Sequence, residues 1–130
     1  MFDHVDLRVR DLQASKAFYE TVLRPLGIPL SYDGDGSVEF GALALTPKPP
    51  PTAPIHFAVI ATSREAVDAF HRTGIEAGYR DNGAPGFRSQ HADDYYAAYL
   101  LDPDGHNVEA VNRSPETRAR WSWLGIGVVE

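Results

Sequence analysis

The sequence predicts an α+β fold made of two βαβββ modules, and two observations carry that prediction. Residues 3–9 alternate between polar and apolar side chains, as a half-buried strand does, and a helical stripe of apolar residues follows them. The same order returns from residue 55, and a gapless overlay of residues 55–61 on 3–9 places His56 on His4. A strand and a helix that agree under one offset indicate an internal duplication.

Composition excludes several classes of protein. The chain has 130 residues and a formal net charge of -6, which argues against a nucleic-acid-binding or anionic membrane-binding surface. No stretch approaches the roughly 20 apolar residues of a membrane span, and we expect no signal peptide. There is no cysteine, which fits a cytoplasmic protein and excludes thiolate ligands. Any metal must therefore bind to histidine and carboxylate side chains.

We predict that residues 1–112 form a single domain. Its two modules are expected at residues 1–46 and 55–112, and the proline-rich residues 47–54 connect them. Proline excludes helix and central strand, so the connection is predicted to be a stiff, extended spacer. A proline-rich recognition motif is the alternative.

Turn and cap residues delimit the predicted elements. Asp11 is placed to cap the first helix, and Thr62 with Glu65 forms a capping box for the second. Residues 81–86, which read Asp-Asn-Gly-Ala-Pro-Gly, are predicted to form a loop before the last two strands.

Glu109 is the most unusual residue of the last predicted strand. It follows the turn at residues 102–105, and its immediate neighbours in the chain are apolar, although glutamate is depleted in strands. A buried carboxylate there would need a cation or strong donors. The alternative is a strand face that is simply exposed to water. His106, three residues earlier, points to the opposite face on a regular strand and is assigned to the turn.

His4 and His56 occupy duplicated positions on the same type of strand face. If the two modules bring these faces together, both imidazoles meet and Glu109 can join them. Two histidines and one carboxylate suit a divalent first-row ion, that is Fe, Mn, Ni, Zn or Co. The alternative is that each histidine is a hydrogen-bonded residue of the core.

Several short motifs carry a resemblance to a known superfamily. They are Asp3-His4-Val5, Val9-Arg10-Asp11-Leu12, Phe18-Tyr19, Ile55-His56-Phe57-Ala58, Asp102-Pro103-Asp104-Gly105 and Val108-Glu109. With them the chain resembles the vicinal oxygen chelate superfamily, which includes glyoxalase I, extradiol dioxygenases and bleomycin- and fosfomycin-resistance proteins. The resemblance implies a curved mixed sheet around a metal-centred cleft, with His4, His56 and Glu109 as metal ligands.

The chain also departs from individual members of that superfamily. Glyoxalase I has a fourth ligand, usually glutamate, at a position that corresponds here to Ala44. Glu39 is a possible substitute, which its short hairpin strand does not favour. The remaining His-His-Glu set is similar to the iron triad of extradiol dioxygenases, although those usually have longer chains. Residues 86–88 and 95–99 resemble an uncharacterised bacterial glyoxalase-like branch.

The resemblance implies a metal-dependent enzyme that acts on a small oxygen-chelating substrate by lyase, isomerase or dioxygenase chemistry. The alternative is a non-catalytic ligand-binding protein of the bleomycin-resistance type. His91 and Tyr96 are the candidate acid–base residues, because they lie in or beside the longest loop. Arg88 is the candidate for binding a substrate carboxylate or phosphonate, with a solvated arginine as the alternative.

The C-terminal tail, residues 113–130, falls outside the duplication. Its apolar segment Trp121-Ser122-Trp123-Leu124 is expected to cover the domain or to pack on a partner chain. Short chains of the superfamily commonly form dimers, so we expect a homodimer.

Overall fold

The computed structural model describes residues 1–115, which form two successive βαβββ modules. The first comprises β1 (Val5–Arg8), α1 (Leu12–Leu23), a 3-10 turn (Arg24–Leu26), β2 (Tyr32–Asp33), β3 (Val38–Phe40) and β4 (Leu43–Thr46). The second comprises β5 (His56–Ile60), α2 (Arg64–Glu76), β6 (Arg80–Phe87), β7 (Tyr96–Leu101) and β8 (Asn107–Asn112). The predicted α+β class with two modules is confirmed. The apolar segment at residues 121–124 lies outside the described residues.

Each module forms its own four-stranded mixed sheet. The strand orders are β1-β4-β3-β2 and β5-β8-β7-β6. The parallel pairs are β1 with β4 and β5 with β8, and the other neighbours are antiparallel. Hence β1 and β5 are edge strands. Thr52, in the connection between the modules, binds to the free edge of β1 by accepting from the Arg8 N–H and donating to the Arg8 carbonyl. Within residues 1–115, no helix is long and apolar enough to cross a membrane.

A single apolar core joins the two modules. Helix α1 packs on the first sheet, α2 packs on the second, and the two helices contact each other. Phe18 of α1 and Phe70 of α2 are fully buried, as are Leu45 and Leu100 from the two sheets. Because strand side chains alternate, the opposite faces of both sheets carry the polar residues and turn away from this core.

Both helices begin at residues whose side chains cap them. Asp11 accepts a hydrogen bond from the Ala14 N–H, as predicted. At α2 the cap is Ser63, which accepts from the Ala66 N–H. The prediction of Thr62 was therefore wrong by one residue, because serine three positions before Ala66 places its hydroxyl on an unpaired N–H of the first turn.

Residues 81–86 belong to β6 and are not a loop, so this prediction was wrong. The strand lies at the edge of the second sheet, where proline and glycine are tolerated. Its register against β7 shifts between Asp81 and Gly83 and again between Gly83 and Gly86. These irregularities explain why the sequence pattern resembles that of a loop.

The turn before β8 ties the second module to the first. The buried carboxylate of Asp102 accepts from the Tyr19 hydroxyl at 2.5 Å and from the backbone N–H groups of Asp104 and His106. Asp104 forms an ion pair with Arg10 at 3.0 Å. His106 belongs to this turn, as predicted, and its buried Nδ1 accepts from the Ile55 N–H. These bonds fix the point from which β8 starts.

Candidate functional site

A buried carboxylate lies on the polar face of the second sheet. Strand β8 carries Glu109, whose side chain is only 2% exposed, and β5 carries His56, whose side chain is 55% exposed. Glu109 Oε1 lies 2.7 Å from His56 Nε2. Its second oxygen, Oε2, accepts a hydrogen bond of 2.5 Å from the Tyr95 hydroxyl. His56 and the Tyr95 hydroxyl thus compensate the free-energy cost of burying the Glu109 carboxylate.

Two tyrosines cover Glu109 from β7. Tyr99 is its register partner on that strand, and Tyr95, just before the strand, lies on the same face by alternation. Burial, and secondarily the hydrogen bond to Glu109, raise the pKa of Tyr95 well above its usual value. Tyr95 therefore remains a neutral donor to the carboxylate. The sequence offered no sign of this role, because the candidates there were chosen by their closeness to the longest loop, which does not show which tyrosine shares a face with Glu109.

The backbone of β6 leaves room for Tyr99. Gly83 has a φ of +153°, which side chains rarely adopt, and a Cβ there would lie 2.7 Å from Cδ2 of Tyr99. The Arg88 guanidinium lies over the Tyr99 ring, with its carbon 5.2 Å from the ring centre. Arg88 Nη2 also donates to the Ala84 carbonyl at 2.7 Å. A guanidinium has five N–H groups, so further donors remain for a bound anion.

The polar face of the first sheet carries His4. Its side chain is 68% exposed, and Nδ1 lies 2.8 Å from Oδ1 of Asp3. The hydrogen bond and charge of Asp3, followed by the charges of Asp6 and Glu39, raise the pKa of His4. A cavity of about 250 Å³ opens beside it, lined by Asp3, His4, Glu39, Gly41 and Ala44.

The strand registers show that the two polar faces are equivalent. In the first sheet Asp6 pairs with Ala44, and in the second Ala58 pairs with Glu109. His4 precedes Asp6 by two residues, and His56 precedes Ala58 by two. Ala44 is therefore the counterpart of Glu109. The second sheet offers a histidine and a carboxylate, whereas the first offers a histidine and a methyl group.

The three predicted metal ligands do not converge within the described part of one chain. His56 and Glu109 are in contact, but His4 lies in the other sheet. Among residues 1–115 there is no group of three or more histidine or carboxylate side chains that could hold a metal ion. The reason is that each sheet buries its apolar face against its own helix and the two helices pack together, which turns the histidine-bearing faces away from this core.

The two candidate acid–base residues lie in different places. Tyr96 is on the helix-facing side of β7, where its hydroxyl donates to Asp68 of α2 at 2.6 Å. It therefore lies on the opposite face of the sheet from Glu109. His91, in the connection between β6 and β7, is exposed, and its ring centre lies 4.8 Å from that of Tyr95. Of the two, only His91 is close to the Glu109 side.

Comparison with known proteins decides the family. The profile of the Glyoxalase/Bleomycin resistance protein/Dioxygenase superfamily matches residues 1–110. The chain belongs to this superfamily. The resemblance inferred from the sequence motifs is thereby confirmed, and the fold and the match agree on a glyoxalase/dioxygenase-type protein.

Solved structures of the superfamily align along most of the chain. A glyoxalase/bleomycin resistance protein from Albidiferax ferrireducens T118 is 34% identical with a TM-score of 0.77, over 87% of this chain and 99% of that one. A putative glyoxalase from Bacillus halodurans is 25% identical with a TM-score of 0.63, over 86% and 95%. A lactoylglutathione lyase from Agrobacterium tumefaciens is 20% identical with a TM-score of 0.63, over 84% and 90%, which shows the fold alone. No curated protein sequence matches the chain.

Proposed function

We propose that this protein is a metal-dependent enzyme of the glyoxalase/dioxygenase type, and that two copies of the chain complete its site. The substrate class we propose is a small molecule with two neighbouring oxygen atoms. The observation that carries the proposal is that one sheet bears the His56–Glu109 pair while the other bears His4, the counterpart of His56. One copy would supply His4 and the second copy would supply the pair.

The donor set fits a divalent ion. Imidazole nitrogens and a carboxylate oxygen suit Fe, Mn, Ni, Zn or Co, and no thiolate is present to favour a structural zinc site. Such an ion, when bound by His4, His56 and Glu109, would act as a Lewis acid on the substrate oxygens.

The residues around Glu109 support a preorganised site. The neutral Tyr95 hydroxyl donates to Oε2 of Glu109, which leaves Oε1 directed at His56. The two hydrogen-bonded oxygens hold the carboxylate in one orientation, and a ligand held in that way binds an ion at lower entropic cost. We assign proton transfer to His91, the exposed imidazole beside Tyr95. Tyr96 has no such role in this proposal, because Asp68 binds it on the other face.

Exposed apolar residues at the two edge strands and the charges on the two polar faces support a homodimer. Val5 at β1 and Ile55 beside β5 are large apolar residues that are 39% and 37% exposed at the two edge strands. The His4 face carries the carboxylates of Asp3 and Glu39, whereas the Glu109 face carries the guanidinium of Arg88. Opposite charges favour apposition of the two faces in a pair of chains.

Arg88 is proposed to bind an anionic group of the substrate. Its stacking on Tyr99 holds the guanidinium on the same face as Glu109, and a guanidinium binds carboxylates and phosphonates through two parallel hydrogen bonds. An aromatic ring and a cation side by side suit a small organic acid.

One observation favours a second function, a non-catalytic binding protein of the bleomycin-resistance type. His56 and Glu109 satisfy each other without a third group, so the polar face of the second sheet is stable without an ion. In that case the aromatic residues Tyr95 and Tyr99 would bind the ligand directly.

Metal analysis of protein purified without chelator tests the proposal. We expect about one divalent ion per chain in the wild type and its loss in Glu109→Gln, because the amide keeps the shape but removes the charge. Glu76→Gln is the matched control, since Glu76 is exposed at the end of α2. A wild-type protein that binds no Mn²⁺, Ni²⁺, Co²⁺ or Zn²⁺ would contradict the enzyme and favour the binding protein.

A further inference from the structure

The internal symmetry of the chain leaves one corner of the proposed site without its carboxylate. Glu109 of β8 has Ala44 of β4 as its counterpart, and alanine has no ligating atom. If the two polar faces meet in a dimer, a complete symmetric site would contain a histidine and a carboxylate from each sheet. In this chain the carboxylate expected from the first sheet is absent at position 44.

Glu39 lies directly beside Ala44 on the neighbouring strand. The two residues are register partners in the antiparallel pair of β3 and β4, so their side chains share the polar face. Val38 and Phe40, on either side of Glu39, are buried in the core, which fixes this orientation. Neighbouring strands lie about 4.8 Å apart, a distance that the two methylenes of a glutamate side chain span.

The carboxylate of Glu39 is half-buried and has no partner within residues 1–115. No described N–H or O–H group donates a hydrogen bond to it, and no described cation pairs with it. By contrast, the carboxylates of Asp3 and Asp6 on the same face bind His4 and Thr46. A half-buried carboxylate without a partner is a group that an incoming cation stabilises.

The space between His4 and Glu39 is open because residue 44 is alanine. Both side chains line the cavity of about 250 Å³, and Ala44 lines it between them. A longer side chain at position 44 would occupy this cavity.

We propose that Glu39 of β3 supplies an additional oxygen ligand to the ion bound by His4, His56 and Glu109. This inference rests on the proposed function, and it goes beyond it by assigning a fourth ligand on β3, the strand next to the one that carries Ala44. The site then has two histidines and two carboxylates, with the second carboxylate reaching across Ala44.

Metal titration of purified protein tests the inference directly. The affinity for Mn²⁺ is measured by calorimetry for the wild type, Glu39→Gln, Glu39→Asp and the control Glu76→Gln. We expect at least about a tenfold loss of affinity in both Glu39 variants, because aspartate keeps the charge but shortens the reach. The double variant Glu39→Gln/Ala44→Glu should recover affinity, since it places a carboxylate at the counterpart of Glu109. Thermal unfolding of each variant identifies any that fails to fold, in which case the Asp and double variants decide.

The outcomes separate this inference from the proposed function. Affinity lost in Glu109→Gln but unchanged in Glu39→Gln would overturn the role of Glu39 and leave the function standing. Affinity lost in Glu39→Gln but retained in Glu39→Asp would also overturn it, because a purely electrostatic effect would then suffice. Absence of Mn²⁺ binding in the wild type would overturn both.

Discussion

The Tyr95 hydroxyl donates a 2.5 Å hydrogen bond to Oε2 of Glu109, whose other oxygen faces His56. This bond compensates part of the cost of burying a carboxylate in a strand. It also fixes the rotamer in which Glu109 meets the imidazole. The stability of the second sheet and the orientation of the proposed ligand therefore depend on the same hydroxyl.

Replacement of Tyr95 by phenylalanine should lower the free energy of unfolding by about 1.5–3 kcal/mol, because the lost bond has a charged acceptor. Tyr32→Phe is the matched control, since Tyr32 is exposed and its hydroxyl has no hydrogen bond within residues 1–115. Urea unfolding of both variants provides the measurement. Equal stability of Tyr95→Phe and the wild type would show that the bond contributes nothing.

The same tyrosine predicts how stability depends on alkaline pH. Burial first, and then carboxylate partners, raise the pKa values of Tyr19 and Tyr95 above the value of about 10 for an unfolded chain. Above pH ~10 the unfolded chain loses these protons while the folded chain keeps them, so stability falls as pH rises. Urea unfolding between pH 8 and pH 11 should show a smaller decrease for Tyr95→Phe than for the wild type. Identical slopes would contradict this assignment.

Replacement of Gly83 by alanine should destabilise the strand that packs against Tyr99. Substitution by alanine forces a side chain into a φ of +153° and against the Tyr99 ring. We expect a loss of about 1–3 kcal/mol in unfolding free energy. Gly36→Ala should change stability by less than about 0.5 kcal/mol, because a Cβ at Gly36 meets no atom within 4 Å. Similar stabilities of the two variants would show that β6 adapts without strain.

Arg88 predicts a preference for anionic ligands. Benzoate should bind to the wild type more tightly than its neutral amide, benzamide, and Arg88→Gln should lose about tenfold or more of the benzoate affinity. Arg72→Gln, an exposed arginine of α2, is the control. Thermal shift titrations with both ligands measure the difference. A benzoate affinity that Arg88→Gln leaves unchanged would remove Arg88 from the proposed site.

Much of the fold follows from periodicity in the sequence. Alternation located β1 and β5, and the overlay of His56 on His4 correctly indicated equivalent strands. The strand β6 was missed, because register shifts at an edge allow a Gly- and Pro-containing sequence to pair. A local pattern cannot show such pairing, since the partner strand β7 provides the hydrogen bonds.

The site was predictable only in part. Glu109 was identifiable as a carboxylate in an apolar strand, whereas its contact with His56 depends on the parallel pairing of β5 with β8. Tyr96 was chosen for its position beside the longest loop, whereas the structure places Tyr95 on Glu109, because the pairing of β7 with β8 decides which face each side chain takes. The separation of His4 from Glu109 depends on how the helices pack between modules, which sequence pattern does not encode.

Complementation between two defective chains tests most directly whether two copies share the site. His4→Ala lacks one half and Glu109→Gln lacks the other, so neither homodimer should bind Mn²⁺ tightly. A heterodimer of the two, isolated with different affinity tags, should bind about half the wild-type Mn²⁺, because one of its two symmetry-related sites has every residue. A heterodimer that binds no Mn²⁺, while the wild type binds one ion per chain, would contradict a site shared between copies.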